Sequence, residues 1–270
     1  MFVLLGPDFE GTPQAYQRLA RATGLVAYDL RARVRNGAWG VVKALADPGQ
    51  AAALVQALAD AEFRPVSIER TVAHDSARPI VPVRSLSLGE GEFVLGLRER
   101  DMSVEYAALA CVVRGEVLPG RSVQRASGNG PSSASFRAVA AVPETTVPIN
   151  VGGSTFEAFQ AADLHFLTAP WVARIDLHSL GGNASEASPR ALDSLADELA
   201  RRAGARVDRN VRTSSVASLA EQATPRRGGS EPPNVREARR EQADERFDAY
   251  SRIIGEAERQ ARFRARRDAR

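Results

Sequence analysis

The stretch Trp39–Glu69, WGVVKALADPGQAAALVQALADAEFRPVSIE, specifies three backbone states in succession. It therefore limits what the first third of the chain can become. Val42, Ala44 and Ala46 point to one side of an extended segment, and Trp39, Val41, Lys43 and Leu45 to the other. Asp47 is a good N-cap, and Pro48 suits the first helical position, where its missing N–H is not needed. Ala51, Leu54, Val55, Leu58 and Ala61 then recur at helical spacing and give one apolar face, after which Phe63–Ile68 returns extended. The unit has a strong pattern and no evident chemistry.

Upstream, Phe2–Leu5 reads as a short strand. Thr12–Pro13 opens a helix with Tyr16, Leu19 and Ala20 on its apolar face and Gly24 at its end. Val26, Tyr28, Leu30, Ala32 and Val34 alternate with Ala27, Asp29, Arg31 and Arg33, which predicts a half-buried strand, and Asn36–Gly37 signals a hairpin. The resulting order, β-α-β-β-α-β, is ferredoxin-like and occupies residues 1–70. Residues 71–118 hold short alternating runs, Val83–Leu88, Phe93–Leu97, Met102–Tyr106 and Cys111–Val117, and predict a β-meander packed on that unit over Trp39. Residues 119–155, with SGNGPSSAS, read as a flexible linker. A small α+β module follows at 156–212. In it, strands Ala162–Thr168 and Trp171–Leu177 flank a turn at Ala169–Pro170, and a helix opened by Ser188–Pro189 has Leu192, Leu195, Ala196, Leu199 and Ala203 on its face and Gly204 at its end. Residues 213–234 form a second linker, and 235–270 a charged amphipathic helix. The expected class is α+β throughout.

Hydrophobic residues make up 44% of the 270 and charged residues 26%, which is globular composition. The net charge of +3 is matched by residues 235–270 alone, where 11 arginines face 8 acids, so everything before Val235 is neutral. Lys43 is the single lysine among 36 basic residues. MFVLLGPDFEG carries no basic leader, no run is long enough to span a bilayer, and the one cysteine, Cys111, precludes an internal disulfide. The expectation is a cytoplasmic protein with no membrane association.

Asp47-Pro48-Gly49 followed by an amphipathic helix resembles the start of amino-acid-sensing ACT domains, although in that family the motif follows the first strand and here it follows the third. The run DPGQAAALVQALADAEFRPVSI is similar to SPOR peptidoglycan-binding domains, which work in the periplasm. RNA-binding RRMs share the strand order, but the third strand AWGVVKAL has Trp39 and Lys43 in place of an aromatic-rich pattern. Each likeness covers one generic pattern, and none identifies a family.

Two histidines occur in identical Asp-Leu-His triplets, Asp163–His165 and Asp176–His178. Residues i and i+2 of a strand share a face, so two such triplets on a hairpin would bring together donors suited to Zn²⁺. Arg174 between them is instead suited to neutralising the acids, and the expectation is that no metal binds. There is no Gly-x-Ser-x-Gly, P-loop or zinc-finger spacing, and Cys111 in the apolar run ALACVV reads as a small core residue. No catalytic, cofactor-binding or metal-binding residue is assigned, and the chain reads as non-enzymatic.

The tail gives the sharpest signal. Ala243, Phe247, Tyr250, Ile254, Ala257 and Ala261 recur at spacings of four and three along one helical seam. Residues 259–270 add six arginines against Asp268 alone. The expected partner-binding residues are Phe247, Tyr250 and Ile254 on the seam, with Arg262, Arg264, Arg266 and Arg267 beyond it. The leading expectation is an interaction or scaffold protein that binds a protein partner, or itself, through this helix. Nucleic acid held by the arginine-rich end is the alternative, and a metal-dependent enzyme using the Asp-Leu-His pairs comes third.

Overall fold

The computed structural model describes residues 1–117, 148–151, 154–157, 159–176, 189–211, 215–216 and 235–268. Its helices begin where the caps stand. Thr12 Oγ1 accepts the Ala15 N–H at 3.1 Å and starts α1 (Pro13–Thr23), which Gly24 ends at φ +67°. Asp47 Oδ1 accepts the Gly49 N–H at 2.8 Å and starts α3 (Pro48–Asp60). Both prolines sit at the head of their helix, where the absent N–H has no intrahelical partner to lose.

The mixed α+β chain divides into two compact units. The first gathers residues 1–76 with described residues of 208–228 and 246–268. Its sheet has the order β2-β1-β3, with β1 (Phe2–Leu5) between β2 (Gly40–Ala44) and β3 (Pro65–Ile68) and antiparallel to both. The connection β2-α3-β3 thus crosses over β1, a split β-α-β unit. Val3, Leu5 and Val42 face Tyr16 and Leu19 of α1 and Ala51 and Leu58 of α3 in one core. Phe2, Leu4, Val41, Val66 and Ile68 are equally buried and outside that core.

Residues 26–34 are not a strand. They form α2 (Ala27–Arg33), so the order becomes β-α-α-β-α-β and the expected four-stranded ferredoxin-like sheet has three strands. Over nine residues the alternating and helical templates overlap, because Ala27, Leu30 and Val34 also recur at three and four. Tertiary contacts decide between them. Leu30 and Val34 are fully buried, Val26 and Tyr28 stand in solvent, and Tyr16 Oη donates to the Val34 carbonyl at 2.7 Å. The end of α2 takes the place beside β2. A Cβ on Gly40 would lie 2.5 Å from the Arg33 carbonyl oxygen, so only glycine admits this approach. Ser215 completes that edge by accepting the Val41 N–H at 3.0 Å and donating to the Arg33 carbonyl at 2.7 Å. Ser215 lies in the stretch expected as a linker, most of which is outside the described residues.

The second unit comprises the described residues of 77–207 and 235–245. Here β5 (Ser85–Leu88), β6 (Glu92–Gly96) and β7 (Asp101–Glu105) form an antiparallel meander, as expected, but with three strands. A short 3₁₀ turn at Tyr106–Ala108 redirects the fourth, β8 (Leu109–Val117), into another sheet. That sheet has the order β13-β8-β11-β12-β4, formed by β13 (Arg206–Asp208), β8, β11 (Phe159–Phe166), β12 (Val172–Asp176) and β4 (Ile80–Pro82). Helix α4 (Pro189–Ala203) covers one face, where Leu192, Ala196 and Leu199 meet Val112, Leu164 and Ile175 together with Phe93 and Leu95 of the meander. Gly204, at φ +56°, ends it. Within the stretch expected as a linker, Pro148–Val151 forms β9, paired antiparallel with β10 (Ser154–Glu157).

Candidate functional site

The last helix, α5 (Val235–Asp268), carries every candidate partner-binding residue. Phe247, Tyr250 and Ile254 are buried within the chain, as are Ala257 and most of the residues between them. Two hydrogen bonds hold this segment to residues of the first unit, Trp39 and Asp208, the latter the last residue of β13 and the point at which the chain returns to that unit. Tyr250 Oη donates to Asp208 Oδ1 at 2.6 Å, and the indole Nε1 of Trp39 donates to Glu258 Oε1 at 2.8 Å. Trp39, expected under the β-meander, therefore has the tail helix as its polar partner.

Six residues after Glu258, Arg264 Nη1 donates to the Pro65 carbonyl at 2.8 Å. Gly40, Leu5 and Pro65 lie in one row across the sheet by their pairing. Six helical residues rise about 9 Å, close to the ~9.6 Å between the edge strands β2 and β3. Helix α5 is thus held near both edge strands, through Trp39 before β2 and through Pro65 at the start of β3.

On the side of the helix turned away from these contacts the last turns are exposed. Phe263 stands nine residues after Ile254, half a turn out of phase with the seam, and is 45% exposed. Arg259, Arg266 and Arg267 share its side, and Arg266 and Arg267 are exposed. Glu256 holds Arg259 with Nε–Oε2 at 2.9 Å, while the contact from Arg267 to Asp268 is 3.9 Å and in solvent. The four expected arginines thus separate, with Arg264 anchored to the sheet, Arg262 half-buried, and Arg266 and Arg267 presented outward. Phe263 and Glu258 lie outside the expected set: the phase of Phe263 against Ile254 is legible in the sequence, whereas the role of Glu258 depends on a contact 219 residues away.

Strands β11 and β12 pair as the expected hairpin, with Asp163 opposite Arg174. Arg174 Nε and Nη2 each donate to one Asp163 oxygen at 2.7 Å, a bidentate pair in which the carboxylate is wholly buried. His165 and Cys111 are opposite one another on β11 and β8, both buried. His178 is outside the described residues, and among those described no group of three or more His, Cys, Asp or Glu side chains is placed to hold a metal. His74, at the end of a 3₁₀ turn, is exposed. No helix among the described residues is long and apolar enough to cross a membrane.

Compared with protein-family models, curated proteins and solved structures, the chain matches none.

Proposed function

We propose that this chain is a non-enzymatic, cytoplasmic interaction protein that binds nucleic acid through the exposed end of α5. The observation that carries this reading is the division of the helix. Phe247, Tyr250 and Ile254 are buried within the chain, whereas Phe263, Arg266 and Arg267 face solvent on one side of the last turns. For the seam to capture a protein partner, α5 would have to leave the first unit and break the contacts at Trp39, Asp208 and Pro65. The arginine-rich end binds without any such rearrangement. Arginine suits phosphate because its planar fork donates two parallel hydrogen bonds, and an exposed phenylalanine beside it offers a surface to a base or sugar. Binding to nucleic acid releases condensed cations, so affinity should fall with salt at a log–log slope of about −0.9 per duplex phosphate contacted.

Fluorescence anisotropy with a labelled duplex, repeated across a salt series, tests this directly. Arg266→Ala with Arg267→Ala should weaken binding and flatten the slope by roughly 2. Phe247→Ser with Ile254→Ser should lower thermal stability. Retention that is insensitive to salt, or unaffected by loss of the two arginines, would favour the seam and a protein partner instead.

A further inference from the structure

The exposed side of α2 has no part in that reading. Among the described residues, the large apolar side chains left in solvent are Val26 at 66%, Tyr28 at 79%, and Phe263. The first two stand at the start of α2. In helical phase Tyr28 and Ala32 are opposite Leu30, which is anchored in the core. Of the exposed arginines, Arg31 lies about 60° from Tyr28 in helical phase, Arg33 about 140° away on the flank, and Arg35 just past the end of the helix. Residues 21–36 hold four arginines against Asp29 alone, although residues 1–76 as a whole hold eight basic and eight acidic side chains. The charge is therefore local to this segment.

Arginines in the last turn of a helix have a structural reason, since they offset its dipole. Tyr28 has none, because at that exposure it contributes little apolar burial. The platform beneath it is fixed. The Val34 N–H bonds the Leu30 carbonyl at 2.8 Å, Tyr16 holds the Val34 carbonyl, Ser215 holds that of Arg33, and the Arg31 guanidinium lies 5.5 Å from the Tyr16 ring centroid.

We infer that this side of α2 is a second nucleic-acid contact, and that it takes a single strand. A base stacks on the Tyr28 ring, Arg31 beside it meets the adjoining phosphate, and Arg33 and Arg35 take phosphates further along the strand. Stacking of this kind needs a base with an open face, which single strands offer and paired bases do not. An acidic protein surface would engage the arginines but would leave the ring without a role. The inference deepens the nucleic-acid reading by naming the class of strand, and it rests on different residues. The end of α2 sits at Gly40 beside β2, and the end of α5 at Pro65 on β3, so the two contacts lie at opposite edges of the sheet.

The test is anisotropy of the full chain with a labelled oligouridine of about 20 nucleotides and a duplex of the same length, with unlabelled polyglutamate as competitor. Tyr28→Ala should weaken single-strand binding by roughly 5- to 150-fold, in proportion to the loss of one stacked base, and leave duplex binding and thermal melting unchanged. Tyr28→Trp should retain it. Arg33→Ala with Arg35→Ala should flatten the single-strand salt slope by about 1.4. Arg266→Ala with Arg267→Ala should weaken duplex binding whether or not α2 takes part. Unchanged single-strand affinity in Tyr28→Ala would overturn the α2 contact while leaving the α5 reading intact. Loss in that variant, with no effect of the Arg266 and Arg267 changes, would uphold α2 and overturn α5. Polyglutamate competing as well as oligouridine, with sensitivity to Arg33 and Arg35 but not to Tyr28, would assign the surface to an acidic protein. Failure to bind either oligonucleotide would overturn both readings.

Discussion

Trp39 and Glu258, 219 residues apart, share a buried hydrogen bond of 2.8 Å from the indole Nε1 to the carboxylate Oε1. The same indole packs close to Gly6, where an added Cβ would lie 3.3 Å from the ring. The bond joins the start of the second strand to the tail helix, and through it the far end of the chain becomes part of the first unit.

Replacing Trp39 by Phe should therefore destabilise the protein by about 1.5–3 kcal/mol, the usual range for losing a hydrogen bond to a charged group. Glu258→Gln keeps an acceptor oxygen in place and should have a smaller effect. Thermal melting of both variants checks this, and equal shifts would show that the indole bond is not what matters at this site.

The seam residues should behave as core. Phe247→Ser and Ile254→Ser each remove a side chain worth roughly 1.5–3 kcal/mol when fully buried, and Tyr250→Phe removes the hydrogen bond to Asp208. Chemical denaturation in a Trp171→Phe background, where Trp39 is the single fluorescent indole, should report lower midpoints for all three. Val42→Asp, which places a carboxylate among Val3, Leu19 and Leu58, should be worse, whereas Arg31→Asp, which loses the contact with the Tyr16 ring and opposes the dipole at the end of α2, should cost roughly 1 kcal/mol. A midpoint unchanged by the seam substitutions would mean that α5 is dispensable to the first unit.

The Asp163–Arg174 pair is wholly buried at its carboxylate. Asp163→Asn leaves the guanidinium without its counter-charge and should destabilise by about 3–5 kcal/mol. Asp163→Leu combined with Arg174→Met removes both charges and should recover most of that loss. A double-mutant cycle measures the coupling, and additive effects would contradict a direct pair.

On α4, Arg201 and Arg202 both donate to Glu198, with Arg202 Nε at 2.6 Å from Oε1, and their hydrogen bonds pull its carboxyl down to about 2. Arg202 also donates to the Gly89 carbonyl and to Tyr106 Oη, linking the helix to the meander. A carboxyl held lower in the folded state than in the unfolded one stabilises the fold fully above its ordinary value of 4.5. That contribution is lost as pH falls towards 2. Glu198→Gln should flatten the fall in melting temperature between those limits, and an unchanged profile would show that the cluster contributes nothing to acid stability.

What the sequence determined by itself was local. Thr12–Pro13, Asp47–Pro48, Gly24 and Gly204 placed the limits of helices because capping and left-handed backbone are settled within a few residues of the chain. The β11–β12 hairpin around Ala169–Pro170 was equally legible, and so was the phase of the α5 seam. Tertiary structure alone decided the rest. Residues 26–34 satisfy helical and extended patterns alike, and only the space beside Gly40 and the hydroxyl of Tyr16 select the helix. Asp163 and His165 share a face whatever the partner, but the register that sets Arg174 opposite Asp163 is a property of the paired strands. The apolar seam of α5 announced that it would be buried without saying by what. Burial depends on which distant surface is complementary, and that surface, at Trp39, Asp208 and Pro65, is assembled only when the chain has folded.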